Sequence, residues 1–313
     1  MLLLIPSCGE RERPRGTEGA VPSHECGRAG ERGAAALRHV EALAAMGGRP
    51  SGSAAYARQL DYLQEHLERA GWTCRRMSWT ESNPLTGDEV PMTNLYARWG
   101  ENPDFASVPD GLLTCHIDTK TGIPGFVGAD DGASGAAVLL ETARALGMFS
   151  PAAQQVELVF FDGEEAFAPH MTPRDGLFGS RRDAARRGEH LPRWMINLDM
   201  VGGRGKTIAI PSEETSQEMY ELYRRAAETL GFPVNRWQVA LGSVYDDHLP
   251  FHRAGVDTLN LIAQFSDSDW WHTPRDDASR ISARSLEETI FFVLRMLEQL
   301  LPAEFGDGAH PAP

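Results

Sequence analysis

The chain has 313 residues, 42% of them hydrophobic and 24% charged, which is ordinary for a globular protein with a sizeable core. Its formal net charge of −14 disfavours a nucleic-acid backbone as the main partner, because phosphates would be repelled. The cysteines form no CxxC pair, so a structural zinc–cysteine site is not expected. No apolar run is long enough to predict a transmembrane helix.

The first ten residues, "MLLLIPSCGE", are apolar up to a break at Ser7. The stretch "IPSC" is typical of the end of a bacterial lipoprotein signal, with Cys8 as the lipidated residue. The apolar run is shorter than a normal signal peptide and lacks a basic start. The alternative to a signal is therefore a misassigned start codon or a disordered tail. We therefore expect export, as a periplasmic or membrane-anchored lipoprotein, or else a cytoplasmic location.

Residues 9–33 are rich in Gly, Pro, Arg and Glu and contain almost no large apolar residue, which is typical of a linker. We expect residues 1–33 to be a disordered signal and linker, 34–303 a single catalytic α/β domain, and 304–313 a tail. Within the domain, helices are predicted at 34–46, from the Ser53 cap to Gly71, and at 133–146, 214–230 and 285–301.

Strands are predicted at 72–80, 92–99, 111–117, 155–161, 194–200 and 257–262. The later ones are continuous apolar runs that alternate with helices. This pattern predicts an α/β sandwich with a mostly parallel central sheet.

Acidic residues and histidines follow these strands where each one ends. "TCHID" ends one strand, "FFDGEE" the next and "NLD" a third. In open α/β sheets, sites form beyond the carboxyl ends of the strands. We therefore expect these side chains to converge.

Each motif also has a structural interpretation. His116 and Asp118 share a strand face, where the carboxylate could orient the ring of a metal ligand, but a histidine near a strand end is more often a packing residue. Asp130 and Asp131 open a predicted helix, so one could cap it while the other binds a cation.

The adjacent Glu164 and Glu165 could belong to a solvated loop. Because adjacent side chains diverge, they could instead divide two tasks, metal ligation and proton transfer, as in zinc hydrolases. Asp199 ends an apolar strand, where a carboxylate is costly to bury unpaired. In "YDDHLPF", Asp246 or Asp247 could cap a helix.

His272 follows two tryptophans, Trp270 and Trp271, which could form the wall of a pocket around it. One Asp, one Glu and one His fill three positions around zinc and leave the fourth open, as a catalytic site requires.

The chain resembles the zinc-dependent glutaminyl-peptide cyclotransferases (glutaminyl cyclases) and their relatives, the co-catalytic zinc aminopeptidases. The resemblance runs from about residue 34 to 301, and its most specific segments are "CHIDTK", "FVGADDGASG", "FFDGEEAF", "LFGSR", "NLD", "DDHLPF" and "WHT". It implies a three-layer sandwich with a mixed, mostly parallel sheet flanked by helices.

Carried over residue by residue, the resemblance implies that Asp131, Glu165 and His272 are zinc ligands and that Glu164 is the general acid/base. In the aminopeptidase pattern, His116 and Asp199 join Asp131 around a second zinc. In the cyclase pattern one zinc is used, and Asp199 and Asp246 belong to a proton and hydrogen-bond network.

Trp271 resembles the cyclase tryptophan that lines the substrate pocket. Two positions depart from the animal cyclases: Met171 lies about where they have another tryptophan, and Tyr245 where they have a glutamine. "GADDGASG" is closer to the aminopeptidase pattern. These departures concern the substrate more than the zinc site.

The resemblance implies that peptide or protein N-termini are the substrates, with cyclisation of N-terminal glutamine as the main hypothesis. The alternative is an aminopeptidase with two zinc ions. A third hypothesis is a non-enzymatic binding domain that keeps only the fold, although the expected ligands are all present here. We expect a monomer.

Overall fold

The computed structural model describes residues 30–231, 237–240, 242–265 and 268–305. The predictions for the N-terminal segment, including lipidation of Cys8, and for most of the C-terminal tail lie outside these residues. The proposed domain limits at residues 33 and 303 therefore stay a prediction. Within the described residues, no helix is both long and apolar enough to cross a membrane.

Eight strands of the described residues form one mixed sheet in the order β1-β2-β4-β3-β5-β8-β6-β7. Strands β4, β3, β5 and β8 are mutually parallel, whereas β1 and β2 form an antiparallel hairpin at one edge. The strands are β1 Trp72–Ser82, β2 Glu89–Trp99, β3 Gly111–His116, β4 Val156–Phe161, β5 Trp194–Asp199, β6 Ile208–Pro211, β7 Trp237–Ala240 and β8 Asp257–Ala263.

Helices cover both faces of this sheet. The larger apolar core holds side chains of α1, α2, α3, α6 and α8, and the smaller one holds side chains of α5 and α7. The predicted three-layer α/β sandwich is confirmed. The helices are α1 Glu31–Ala44, α2 Ala54–Arg69, α3 Ala133–Leu146, α4 Ser150–Gln154, α5 Phe178–Arg187, α6 Gln217–Thr229, α7 His248–Arg253, α8 Ala283–Leu300 and α9 Pro302–Phe305.

The predicted elements lie within a few residues of the observed ones, and Ser53 caps α2 by accepting a hydrogen bond from the Tyr56 N–H at 3.0 Å. The sequence did not predict β6 and β7, each of four residues, or the helices α4, α5 and α9, and it indicated α7 only through the possible cap at Asp246 or Asp247. Such short elements carry too few periods of a hydrophobic pattern to be recognised.

Parallel strands end at one edge of the sheet, and this edge collects the chemically active residues. His116 is the last residue of β3, Asp199 is the last of β5, and Glu164 follows β4 by three residues. The buried Arg49 supports the same edge from the loop before α2. Its guanidinium donates to the Val127 and Gly128 carbonyls at 2.6 and 3.0 Å, just before the Asp130–Asp131 pair.

Replacing Arg49 by methionine should therefore destabilise the protein. The side chain also donates to Gln59 Oε1 at 2.6 Å, so several buried acceptors would lose their partner. Each unsatisfied group costs about 1–3 kcal/mol. We expect the free energy of unfolding, measured by urea titration, to fall by about 3 kcal/mol or more. Arg58→Met, on the exposed face of α2, should change it by less than about 0.5 kcal/mol; equal effects would contradict the assignment.

Candidate metal and catalytic site

Asp131, Glu165 and His272 come together at the sheet edge, although they are distant in sequence. His272 Nε2 lies 2.9 Å from Glu165 Oε1 and 3.4 Å from Asp131 Oδ2. Zinc bonds of about 2.0–2.1 Å in a tetrahedron separate ligand atoms by about 3.3 Å. The observed separations therefore suit a zinc ion.

Asp131 Oδ2 gives an independent indication of fit. It is a buried oxygen without a hydrogen-bond partner among the described residues. A buried acceptor in that state is costly unless a cation or donor satisfies it. The chemistry of the donors, two carboxylates and one imidazole, is that of catalytic zinc sites with an open fourth position.

A second donor group shares Asp131. His116 Nε2 lies 3.1 Å from Asp131 Oδ1 and 3.1 Å from Asp199 Oδ1. The two oxygens of Asp131 therefore face different histidines. The predicted role of Asp118 in orienting the His116 ring is only partly supported, because Asp118 Oδ1 lies 3.7 Å from His116 Nδ1, beyond hydrogen-bond range.

Asp118 has another role that the sequence analysis missed. Its two oxygens accept the backbone N–H groups of Glu164 and Glu165, each at 3.1 Å. Asp276 does the same for Asp130 and Asp131, at 2.8 and 3.1 Å. Each of these buried aspartates thus fixes the backbone of an acidic pair, so that the side chains of that pair need not hold the backbone in place.

Lys120 is a second residue that the sequence analysis missed. Its ammonium donates to the Ala166 carbonyl at 2.6 Å and lies 3.4 Å from Glu165 Oε2. Oε1 of the same carboxylate faces His272. Lys120 therefore holds one oxygen of Glu165 and leaves the other directed at the metal position.

The proton affinities of the donors reflect this crowding. Burial would lower the pKa of His272, but the charges and hydrogen bonds of Asp131 and Glu165 outweigh it and raise the pKa to about 10. Burial would raise the pKa of Asp131, yet His116 and His272 outweigh it and hold that pKa below its ordinary value. In the metal-free protein, the positive charges of the two protonated histidines compensate the carboxylates, as a metal cation would do.

Glu164 lies beside this donor group and lines the cavity. Burial is the main cause that raises its pKa well above the ordinary value, and the charges of Glu165, Asp246 and Asp247 add to it. Burial likewise raises the pKa of Asp199, to about 7, against the opposing effect of His116. Carboxyl groups with raised pKa values are suited to proton transfer near neutral pH.

Asp246 lies in a separate hydrogen-bond network below the cavity. Its carboxylate accepts the side-chain amides of Asn197 at 3.0 Å and Asn260 at 2.7 Å, and the backbone N–H of Asp247. These three N–H donors hold the carboxyl group in one orientation. The asparagines lie on β5 and β8, so this network joins two strands under the site.

A cavity of about 250 Å³ opens above these groups. Drug-sized ligands occupy pockets of roughly 300–1,000 Å³, so this one suits a single amino-acid residue. It is lined by Lys120, Asp131, Glu164, Glu165, Pro169, His170, Met171, Asp199, Met200, Ser243, Val244, Tyr245, Ile262, Phe265, Trp271 and His272.

The tryptophan pair was only half correctly interpreted. Trp271 stacks on the His272 ring with centroids 4.2 Å apart and packs against Phe265 at 4.8 Å. Trp270 is buried instead, with the Lys206 ammonium 4.3 Å from its ring centroid. One tryptophan, not both, therefore forms part of the cavity wall.

Of the two possible helix caps, the one at Asp130 or Asp131 is wrong and the one at Asp246 or Asp247 is right in position only. Gly132 occupies the N-cap of α3, so neither Asp130 nor Asp131 caps it. Asp247 occupies the N-cap position of α7, but its side chain makes no capping hydrogen bond. Asp162, which directly follows β4, accepts hydrogen bonds from Ser51 Oγ and the Thr93 N–H, both at 2.6 Å, and so ties the end of β4 to β2.

Comparison with known proteins identifies relatives of this chain. The model of peptidase family M28 matches residues 94–297. A mouse glutaminyl-peptide cyclotransferase-like protein is 31% identical over 265 residues, which cover 74% of this chain and 67% of that protein. Aminopeptidase YwaD of Bacillus subtilis is 32% identical over 199 residues, which cover 60% of this chain and 39% of that protein.

Solved structures support the same relationship. The glutaminyl cyclase of Porphyromonas gingivalis superposes with a TM-score of 0.75 at 26% identity, covering 85% of this chain and 98% of that chain.

Zinc binding should release protons. Because the pKa of His272 is about 10 in the metal-free protein, the ring is protonated at pH 7, whereas a metal requires the neutral ring. We expect about one proton or more released per zinc, and an apparent affinity that rises with pH below about 10. Calorimetry of chelator-stripped protein in buffers of different ionisation enthalpy measures this number. The exposed His190, which does not line the cavity, is the control, since His190→Ala should not alter the number of protons released. Zinc binding without proton release would contradict the assignment.

Proposed function

This chain belongs to peptidase family M28, and we propose that it is a zinc-dependent glutaminyl-peptide cyclotransferase. The enzyme would convert the N-terminal glutamine of peptides or proteins to pyroglutamate and release ammonia. The observation that carries the proposal is the small cavity in which the Asp131–Glu165–His272 group, Glu164 and Trp271 meet. The likeness to glutaminyl cyclases supports it.

In this proposal, Asp131, Glu165 and His272 hold one zinc ion. When bound, zinc supplies a Lewis acid that polarises the side-chain amide oxygen of the substrate glutamine. Lys120 fixes the orientation of the Glu165 carboxylate, and the stack of Trp271 on His272 fixes the ring. These contacts leave each ligand little freedom, which favours a defined metal geometry.

Glu164 is the proposed general acid/base. Its carboxylate takes a proton from the substrate α-amine while the amine nitrogen forms a bond to the side-chain carbonyl carbon. The same carboxyl then gives the proton to the side-chain nitrogen as its bond to that carbon breaks, so ammonia leaves. One proton moves from one nitrogen to the other, and no water is consumed.

Asp199 and Asp246 assist in different ways. Asp199 lines the cavity and can accept the α-amine N–H, which aims the nitrogen at the carbonyl carbon. Asp246 lies below the cavity and, through Asn197 and Asn260, keeps the floor between β5 and β8 in place. The charge of Asp246 also adds to the effect of burial, which raises the pKa of Glu164.

Trp271, Tyr245 and Met171 are the proposed substrate-binding walls. They lie in the cavity lining together with apolar side chains such as Phe265 and Ile262. An apolar wall shields the amide from water and so favours attack by the amine over hydrolysis. The departures at Tyr245 and Met171 would act on the choice of peptide rather than on the chemistry.

One observation favours a second candidate, a zinc aminopeptidase. His116, Asp131 and Asp199 form a second donor group that shares Asp131, as a site with two metals requires. The similarity to the Bacillus subtilis aminopeptidase is consistent with it. In that reaction Glu164 would deprotonate a water molecule for attack on the first peptide bond.

We further propose that the protein is exported with a lipid on Cys8 and acts as a monomer. The "IPSC" sequence and the Gly/Pro-rich segment after it support export and lipidation. Peptide N-termini outside the cytoplasm would then be its substrates.

Two peptides that differ in their first residue distinguish the candidates. We expect a Gln-initiated peptide to release ammonia and lose 17 Da while its chain stays intact, and a Leu-initiated peptide to stay unchanged. Mass spectrometry and an ammonia assay measure both, and metal analysis should give one zinc per chain. Free glutamine or free leucine, with two zinc ions, would establish the aminopeptidase instead.

Glu164→Gln should remove activity without removing zinc. The amide cannot take up the amine proton, and general acid/base groups contribute about 10²–10⁴-fold to the rate. We expect kcat to fall by that factor with zinc content unchanged, because Glu165 keeps its contacts to His272 and Lys120. The exposed Glu189 gives a matched control, since Glu189→Gln should leave kcat unchanged. A Glu164→Gln enzyme with wild-type kcat would contradict the proposed role of Glu164.

A further inference from the structure

Asp276 joins two metal-binding segments that belong to different parts of the chain. It is completely buried and follows His272 by four residues. Its carboxylate accepts the N–H groups of Asp130 and Asp131, and its own carbonyl accepts the Ala129 N–H at 3.2 Å. Three consecutive N–H groups ahead of α3 therefore end on one residue of the His272 loop.

The same residue anchors the turn that carries His272. The Asp276 N–H donates to the Thr273 carbonyl at 3.1 Å, and the Thr273 N–H donates to the Trp270 carbonyl at 3.0 Å. His272 has a φ of 49°, in the left-handed region that non-glycine residues seldom adopt. A strained backbone of this kind persists only where its surroundings hold it in place.

We propose that Asp276 is a positioning residue that sets the affinity of the site for zinc by fixing the separation between Asp131 and His272. The inference rests on the proposed zinc site but not on the reaction catalysed there. Asp276 acts through the backbone N–H of Asp131 and through the turn that follows His272, and it touches neither the metal nor the substrate.

The geometry explains why a carboxylate is needed. Two N–H groups from adjacent residues converge on two oxygens, and an anion binds both more strongly than a neutral acceptor would. An asparagine offers one acceptor oxygen and an NH₂ group, so one buried N–H would face another donor. The Asp130–Asp131 turn would then shift relative to His272, and the metal would meet its ligands at unsuitable separations.

The chain contains a matched comparison. Asp175 is also buried, and its carboxylate accepts two consecutive N–H groups, those of Phe167 and Ala168, both at 2.8 Å. It fixes the loop after Glu165 but does not join two ligand segments. Asp175→Asn therefore removes the same kind of hydrogen bonds without the proposed effect on metal affinity.

The test compares the zinc dissociation constants of the wild type, Asp276→Asn and Asp175→Asn by competition with a chromophoric chelator. Melting temperatures of the metal-free proteins are measured alongside. We expect Asp276→Asn to weaken zinc binding about 10–100-fold, as replacement of residues that orient metal ligands commonly does. Asp175→Asn should lower the melting temperature comparably and change the dissociation constant by no more than about threefold.

Equal zinc affinities for Asp276→Asn and the wild type would overturn the inference and leave Asp276 as a stabilising residue alone. If Asp276→Asn does not fold, Asp276→Glu gives the same test, because it keeps the charge but displaces the oxygens by one methylene. A wild type that binds zinc tightly without cyclising peptides would refute the proposed function and not this inference. A wild type that does not bind zinc would refute the zinc site itself.

Discussion

Hydrogen bonds from backbone N–H groups to buried aspartates are the interaction on which this site depends. Asp118 holds the backbone of Glu164 and Glu165, and Asp276 holds that of Asp130 and Asp131. Hydrogen bonds to charged groups contribute about 1.5–3 kcal/mol each, more than neutral ones. Because these bonds fix the main chain, the side chains of Asp131, Glu164 and Glu165 are directed to the cavity and the candidate metal position.

The same arrangement concentrates negative charge in a small volume. Burial and mutual repulsion raise the pKa values of Glu164, Glu165 and Asp199. Repulsion among the carboxylates destabilises the metal-free site. A divalent cation would remove this repulsion, and the site should therefore bind the cation more tightly. Arg49 and Lys120 offset part of the charge from the protein side, at the Asp131 loop and at Glu165 respectively.

Much of the fold and the metal site could be predicted from the sequence, because both follow from local patterns. Buried parallel strands are continuous apolar runs, and the acids that follow them must meet at one edge. Asp131, Glu165 and His272 do meet there, as do His116 and Asp199.

The rest depended on contacts between distant segments. Asp276 resembles any loop aspartate until its partner 145 residues away is known. Trp270 and Trp271 are adjacent residues of the same type, so the sequence does not distinguish them. In the structure Trp270 is buried and Trp271 lines the cavity. Asp130 does not cap α3 because its carboxylate accepts the Gly202 N–H, a tertiary partner that the sequence does not reveal. Asp247 lies at the N-cap position of α7, but its side chain makes no capping hydrogen bond.

The paired acids show how one scaffold can serve two reactions. In Asp130–Asp131 and Glu164–Glu165 the neighbouring side chains diverge: Asp131 and Glu165 face His272, whereas Asp130 accepts the Gly202 N–H and Glu164 lines the cavity. The proposed metal ligation and the proposed proton transfer thus fall to the same short segments, which both cyclisation and hydrolysis could use. The difference must lie in what the cavity admits. A volume of about 250 Å³ walled by Trp271, Phe265 and Ile262 leaves little room for water beside a bound residue, and this favours attack by the substrate's own amine.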